Sequence, residues 1–252
     1  GIRDSVASRG LGDVYKRQPW YEPLSLLTMI ASHTTKIKLA TAILIAPLRN
    51  PALLAKTAAT LDAISKGRLE LGVGLGWQKE EFDTAGVNFE DRAEIFWETL
   101  DICKSLWQDS PISFHGKHFH FDDIWCHPKP AQGQDLPLLF GLKMTHENAQ
   151  RIAKVGHGWI PIKTSRDFIS QGKDILVEAF GNEGRQDQPR IRGQLPTCVD
   201  DSGVPNIDLT LNELEKSMAA GLDEVEVFPI NFVQAPDDIY KVLKLISEVK
   251  KS

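Results

Sequence analysis

The sequence predicts a parallel α/β fold, and three observations carry the prediction. Helical and strand-like patterns alternate along almost the whole chain. The strand-like runs are short and nearly all apolar, as expected of parallel strands covered on both faces. Glycines gather where one of these runs ends. Apolar residues recur at spacings of three and four over Glu22–His33, Pro51–Ser65, Asp91–Gln108, Thr145–Val155, Ser165–Phe180, Thr210–Ala220 and Pro236–Lys250, and each stretch is expected to be a helix. Asn50-Pro51 and Ala235-Pro236 put proline at or near two of the helix starts, where its missing N–H costs nothing. Strands are expected over Ile37–Ile45, Leu69–Val73, Leu136–Phe140, Gly158–Ile162, Arg190–Pro196 and Glu224–Pro229. Ser65-Lys66-Gly67, Gly156-His157-Gly158 and Gly221-Leu222-Asp223 supply turn chemistry between them. No internal repeat or low-complexity tract interrupts the pattern.

Two architectures are compatible with this order. A doubly wound sheet is possible, but six βα units repeated in one direction suit a (β/α)₈ barrel better, a fold that typically takes about 250 residues and eight strands. Residues 19–252 supply only six strands, so the expectation is a barrel lacking its first two.

Leu69–Phe82, LELGVGLGWQKEEF, is the most informative stretch. It reads as a buried strand that runs into a glycine loop and ends on Trp77 and a carboxylate pair, Glu80 and Glu81. Gly72, Gly74 and Gly76 strip side chains from the strand end, which suits close approach of a ligand or of other backbone. A dinucleotide fingerprint fails, because the third glycine would have to stand at Trp77 or Lys79. A flat ligand over the strand end and a tight strand-to-helix turn are the two readings left.

Bulk properties exclude several classes of function. The chain has 252 residues, 42% hydrophobic and 25% charged, with net charge −5. That balance argues against a nucleic-acid surface. Cys103, Cys126 and Cys198 are few and far apart, with neither a disulfide framework nor metal spacing, which points to a reducing cytoplasm. There is no long apolar run, so no membrane partner is expected.

Residues 1–18, GIRDSVASRGLGDVYKRQ, share no texture with the rest of the chain. Asp13–Gln18, DVYKRQ, is what GAT-GTG-TAT-AAG-AGA-CAG encodes, and Ile2–Ser5 is what the same bases give in another frame. That DNA resembles the transposon end used to build sequencing libraries. Residues 1–18 are therefore expected to be a non-native, adapter-derived tail, the alternative being a natural basic arm. Residues 19–252 are expected to form one incomplete barrel domain with an inserted segment at 110–133. That insert holds four of the seven histidines. His115-x-x-His118-x-His120 with Asp122 and Asp123 offers zinc-type ligands but no standard spacing. The alternation over Ser113–Phe121 fits a β-hairpin turning at Gly116-Lys117 better, so no metal is expected.

Four motifs in this order resemble the bacterial luciferase-like oxidoreductases, which depend on flavin or on the deazaflavin F420. They are Ile37–Pro51 (IKLATAILIAPLRNP), Ser65–Phe82 (SKGRLELGVGLGWQKEEF), Arg92 through Gly116 with Trp107 and Ser113-Phe114-His115-Gly116, and Gly156–Ile162 (GHGWIPI). The resemblance covers roughly residues 22–250. It implies a TIM (β/α)₈ barrel of the luciferase-like type without its first two strands, and FMN or F420 as cofactor at the C-terminal mouth. It implies a non-prolyl cis peptide at Ala42-Ile43 behind the cofactor ring. Gly74 and Gly76 would admit the ring and Trp77 would wall the pocket. A phosphate-bearing tail would lie over Gly141, Leu142, Lys143 and Thr145, where Lys143 replaces the second glycine common in the family and Thr145 caps the next helix. His157 departs from the family's acidic position. It precedes a strand and so falls at the non-catalytic end, where a structural role is expected of it.

The resemblance implies an oxidoreductase that transfers hydride or oxygenates a small organic substrate, cytoplasmic, with a homodimer possible. The family's first two strands carry much of the active site and its acid–base group. No residue here matches those positions, so no catalytic residue is carried over, and weak or no activity is expected of the chain as written. A non-enzymatic flavin-binding protein is the alternative. A flavin-independent barrel hydrolase is disfavoured, because Asp62 and Asp91 do not fall at strand ends.

Overall fold

The computed structural model describes residues 21–233, 235 and 238–249. The tail at 1–18 and the Ala235-Pro236 helix start lie outside or at the limit of these residues. Six strands form one parallel sheet in chain order. They are β1 (Leu39–Ile45), β2 (Leu69–Gly74), β5 (Leu138–Gly141), β6 (Gly158–Trp159), β7 (Arg190–Gln194) and β8 (Glu224–Glu226). A separate antiparallel hairpin joins β3 (Ile112–His115) to β4 (His120–Ile124), in keeping with the alternation in the insert.

The described α-helices are α1 (Pro23–His33), α2 (Pro51–Ser65), α3 (Lys79–Ala85), α4 (Arg92–Gln108), α5 (His146–Val155), α6 (Arg166–Asn182), α7 (Ile207–Leu211), α8 (Leu214–Ala219) and α9 (Asp238–Glu248). Local chemistry sets several of their ends. Asn50 caps α2 by accepting from Leu53 N–H at 3.1 Å, with Pro51 in the first turn, and Lys66 stops it in the left-handed region (φ 60°). Thr145 caps α5 through Asn148 N–H at 3.1 Å. Thr210–Ala220 is not the single helix expected. Asn206 caps α7, and the chain turns at Asn212-Glu213 before α8. The strand expected over Gly158–Ile162 pairs only at Gly158 and Trp159.

The core lies between the sheet's outer face and the helices. Leu69, Leu71 and Val73 of β2, Leu138 and Phe140 of β5 and Ile191 of β7 are buried there with Leu54, Ala58, Phe96, Leu106 and Trp107. Trp107 also donates its indole N–H to Ala55 O at 3.0 Å. Strand alternation sends Glu70, Gly72 and Gly74, and likewise Arg190, Arg192 and Glu224, to the inner face. Arg190 and Arg192 of β7 reach Glu70 of β2, although two strands stand between them in the sheet. The sheet is therefore curved into an open barrel whose inner face these charges fill. Its outermost strands are β1 and β8.

Two sequence features prove to be fastenings. Arg68 fixes the end of α1, donating to Thr34 Oγ1 (2.9 Å), Ile37 O (2.9 Å), Ala31 O (3.1 Å) and Thr34 O (2.9 Å). Asp62, fully buried, accepts from Leu69 N–H at 3.2 Å and from Gln132 N–H at 3.0 Å, so it joins α2, β2 and the insert instead of facing a ligand.

Candidate functional site

The C-terminal ends of β1, β2 and β5 meet at one mouth. Register between β1 and β2 runs Leu39↔Leu69 to Thr41↔Leu71, then jumps to Leu44↔Val73. The interruption holds the Ala42-Ile43 bond, which is cis, as the resemblance implied. Thr41 ties this bulge to β2 by donating its hydroxyl to Gly72 O at 2.8 Å. The bulge turns Ile43 inward over the neighbouring strand ends. A Cβ on Gly74 would stand 2.2 Å from Ile43 Cδ1, and one on Gly141 would stand 2.7 Å from Ile43 Cγ2. A Cβ on Gly72 would meet Thr41 O at 2.1 Å and Ile160 Cδ1 at 2.7 Å. The glycines are thus required first by the protein itself, and Ile43, 37% exposed, forms the apolar surface of the mouth.

Gly76 has φ +78°, and a Cβ there would meet Ile45 Cγ2 at 2.8 Å, so the loop closes tightly over Phe82. Trp77 follows on the rim and is 71% exposed, so it packs under nothing. Glu80 and Glu81 lie in the first turn of α3, where the helix dipole favours acids.

On the opposite side, Gly141 ends β5 beside Gly74. Leu142 buries its side chain, and its carbonyl accepts from Trp159 Nε1 at 2.8 Å. Lys143 is exposed, with no ion-pair partner among the described residues, and its carbonyl accepts from Asn148 at 2.9 Å. Thr145 spends its hydroxyl on the α5 cap. The structure therefore brings Ala42, Ile43, Gly74 and Gly141 together at the centre, with Gly76 and Trp77 on one rim and Leu142, Lys143 and Thr145 on the other.

His157 stands at the N-terminal end of β6, away from the mouth. Its Nδ1 accepts from Leu138 N–H at 3.2 Å, which requires the neutral ring. Burial, with Lys104 and Arg185 nearby, lowers its pKa from 6.5 to about 4. The unfolded chain therefore binds the proton more readily between those values. Stability from neutral His157 is complete above pH 6.5 and falls as pH drops towards 4. A His157→Gln variant is expected to flatten the midpoint-versus-pH curve in that window, and an unchanged slope would contradict this.

Charges inside the barrel are a feature that apolar periodicity does not reveal. Glu70, 3% exposed, accepts from Arg190 at 2.9 Å, from Lys38 at 2.7 Å and from Arg192. Glu224 accepts from the same two arginines. Burial would raise Glu70, but these hydrogen bonds outweigh it and hold the carboxyl down at about 2. The signal in the sequence is period-two charge inside apolar strands: Glu70, Arg190 with Arg192, and Glu224 with Glu226.

Glycines, an apolar inward residue and a helix start thus meet at the C-terminal ends of parallel strands in an open α/β barrel, the end at which barrel proteins of this architecture place their sites. Similarity to known proteins narrows the class. Residues 7–203 match the family of luciferase-like monooxygenases, and the chain belongs to that family. An uncharacterized protein of Mycobacterium bovis is 34% identical over 182 residues, 71% of this chain and 62% of its own length. The F420-dependent glucose-6-phosphate dehydrogenase of Kineococcus radiotolerans is 29% identical over 194 residues, 73% of this chain and 56% of its own. The oxygenating component of 3,6-diketocamphane monooxygenase from Pseudomonas putida, solved with FMN, superposes with a TM-score of 0.70 at 18% identity, covering 90% of this chain and 82% of that one. The chain spans about 62% of the length of the mycobacterial relative. No described helix is long and apolar enough to cross a membrane.

Proposed function

We propose that this mouth binds the ring of F420 or FMN, and that the chain forms part of an oxidoreductase that either transfers hydride to or from a small organic substrate or oxygenates it with reduced FMN and oxygen. The observation behind the reading is Ile43. The bulge at Ala42-Ile43 lays this side chain over Gly74 and Gly141, leaving an apolar platform with no side chain of either glycine rising beside it. The residues present fit such a group. A ring would rest on Ile43 with Trp77 at its edge, and Gly76 would keep the loop low. The loop Gly141, Leu142, Lys143, Thr145 would face the acidic tail with backbone N–H groups at the α5 start and with the Lys143 ammonium. The cofactor supplies the hydride or oxygen chemistry when bound, while these residues hold and orient it and keep water from its apolar face.

The test is a titration of the purified chain with F420 and, separately, with FMN, read by absorbance and fluorescence, followed by turnover assays. Saturable binding of one cofactor is expected, with turnover weak. Failure of both to bind would end this reading, and normal turnover would overturn the expectation of low activity. Lys143→Ala is expected to weaken binding about two- to fivefold and to reduce its salt dependence, in keeping with about 0.5–1 kcal/mol for a solvent-screened charge. Unchanged affinity and salt dependence would remove Lys143 from the site.

A further inference from the structure

We infer that the cavity between the start of α6 and α8 binds a phosphate group carried by a small molecule other than the cofactor. The cavity has a volume of about 420 Å³ and is lined by Ser165, Arg166, Asp167, Pro196, Glu213 and Ser217. Ser165 follows β6 and Pro196 follows β7, so it opens at the C-terminal end of the sheet. One side of it is the start of a 17-residue helix. Ser165 makes no side-chain cap there, and the first helical bond runs from Ile169 N–H to Ser165 O at 3.1 Å. The N–H groups of Arg166, Asp167 and Phe168 therefore have no acceptor among the described residues, and they form the positive end of the helix dipole.

A second and independent observation is Ser217. It is only 6% exposed, yet it lines the cavity, and its hydroxyl has no hydrogen-bond partner among the described residues. The helix hydroxyls of Thr28, Thr57 and Thr60 instead donate to the carbonyl four residues back. A buried hydroxyl left unpaired is costly, and an oxyanion in the cavity would accept from it. Charge favours such a ligand. Arg166 Nη2 lies 2.7 Å from Glu213 Oε2 and Lys216 Nζ lies 2.6 Å from Glu213 Oε1, so two cations converge on one carboxylate at the cavity wall. Lys163 Nζ stands 5.6 Å from the ring centroid of Phe168, in the first turn of α6. These three cations outnumber the two carboxylates, Glu213 and Asp167, before the helix dipole is counted. The helix start is also held in place. Phe168 packs on Trp159 with centroids 5.6 Å apart, and a Cβ on Gly172 would stand 2.3 Å from Trp159 Cη2. The donors are therefore fixed before an anion arrives. They belong to a different helix from the Lys143 loop, and they need no cofactor at the mouth.

The experiment is a titration of the purified chain with inorganic phosphate, read by calorimetry and phosphorus NMR in a buffer otherwise free of phosphate. Saturable binding is expected, with glycerol phosphate competing for it. Ser217→Ala and Arg166→Gln should each weaken it about tenfold, the effect of losing one hydrogen bond to a charged group. Glu213→Gln should tighten it about threefold, because a competing carboxylate is gone. Lys143→Ala and saturating FMN should both leave it unchanged. Far-ultraviolet circular dichroism and the unfolding midpoint check that each variant is folded. No saturable binding to the unaltered chain, full affinity in both Ser217→Ala and Arg166→Gln, or binding lost in Lys143→Ala would each overturn the assignment. Displacement of phosphate by FMN would give the cavity to the cofactor's own tail and overturn it as well.

Discussion

Glu70→Ala is expected to destabilise the protein by about 3–5 kcal/mol, the cost of leaving buried charges without their partner. Glu70 sits at 3% exposure between Lys38, Arg190 and Arg192. Removing it leaves two guanidinium groups inside the barrel with Glu224 as their remaining partner. The cluster need not be worth that much against a well-packed apolar interior, but a partly dismantled one is costly. Denaturant unfolding checks the number, and a loss under 1 kcal/mol would show that water or rearrangement compensates. The same residue governs acid stability. Its carboxyl falls from an ordinary 4.5 to about 2 in the folded state, so its contribution is complete above pH 4.5 and is lost as pH falls towards 2. The shift corresponds to roughly 3 kcal/mol. The Glu70→Ala variant should therefore lose less stability than the unaltered chain across that window.

Gly72→Ala is the second large expectation. The added methyl would stand 2.1 Å from Thr41 O and 2.7 Å from Ile160 Cδ1. A side-chain end can turn away, whereas a strand carbonyl next to the β1 bulge can move only by parting β1 from β2. The cost is expected at about 3 kcal/mol, the upper part of the range for overpacking. The displacement would also shift Thr41 and the adjoining Ala42-Ile43 bond, so cofactor binding should fall further than stability alone accounts for. Thermal unfolding and a cofactor titration on the same sample separate the two effects. Full stability in Gly72→Ala would show that the strands separate easily and would weaken the account of the mouth.

Much of the helix–strand order is legible in the chain because it rests on local periodicity. Pro51–Ser65 is legible to the residue, since Asn50-Pro51 starts it and Lys66-Gly67 stops it. The hairpin is legible from alternation. Thr210–Ala220 reads as one helix because apolar spacing continues through the turn at Asn212-Glu213. In the structure the chain turns at Asn212-Glu213, while Thr210, buried in the first of the two helices, accepts from Cys198 N–H at 2.9 Å. The short pairing of β6 is likewise invisible, since Ile160–Ile162 look no less like strand than Gly158-Trp159.

At the candidate site, the motif Leu69–Phe82 identifies the strand end, but its glycines suggest room for a ligand. In the structure Gly74 and Gly141 make room for Ile43, a residue of another strand, and that contact spans sequence distances which no local pattern encodes. The ionic interior is hidden for the same reason: Glu70 and Arg192 are buried partners 122 residues apart.

By itself the sequence determined the parallel α/β order, the caps and turns, the family resemblance and the position of the mouth, because these depend on short-range periodicity, backbone preference and motif spacing. Only the tertiary structure decided which groups share that mouth, which charges neutralise one another inside the barrel, and that His115 and His120 pair across the hairpin. Those relations arise from sheet curvature and strand register, which bring together residues that the chain itself keeps apart.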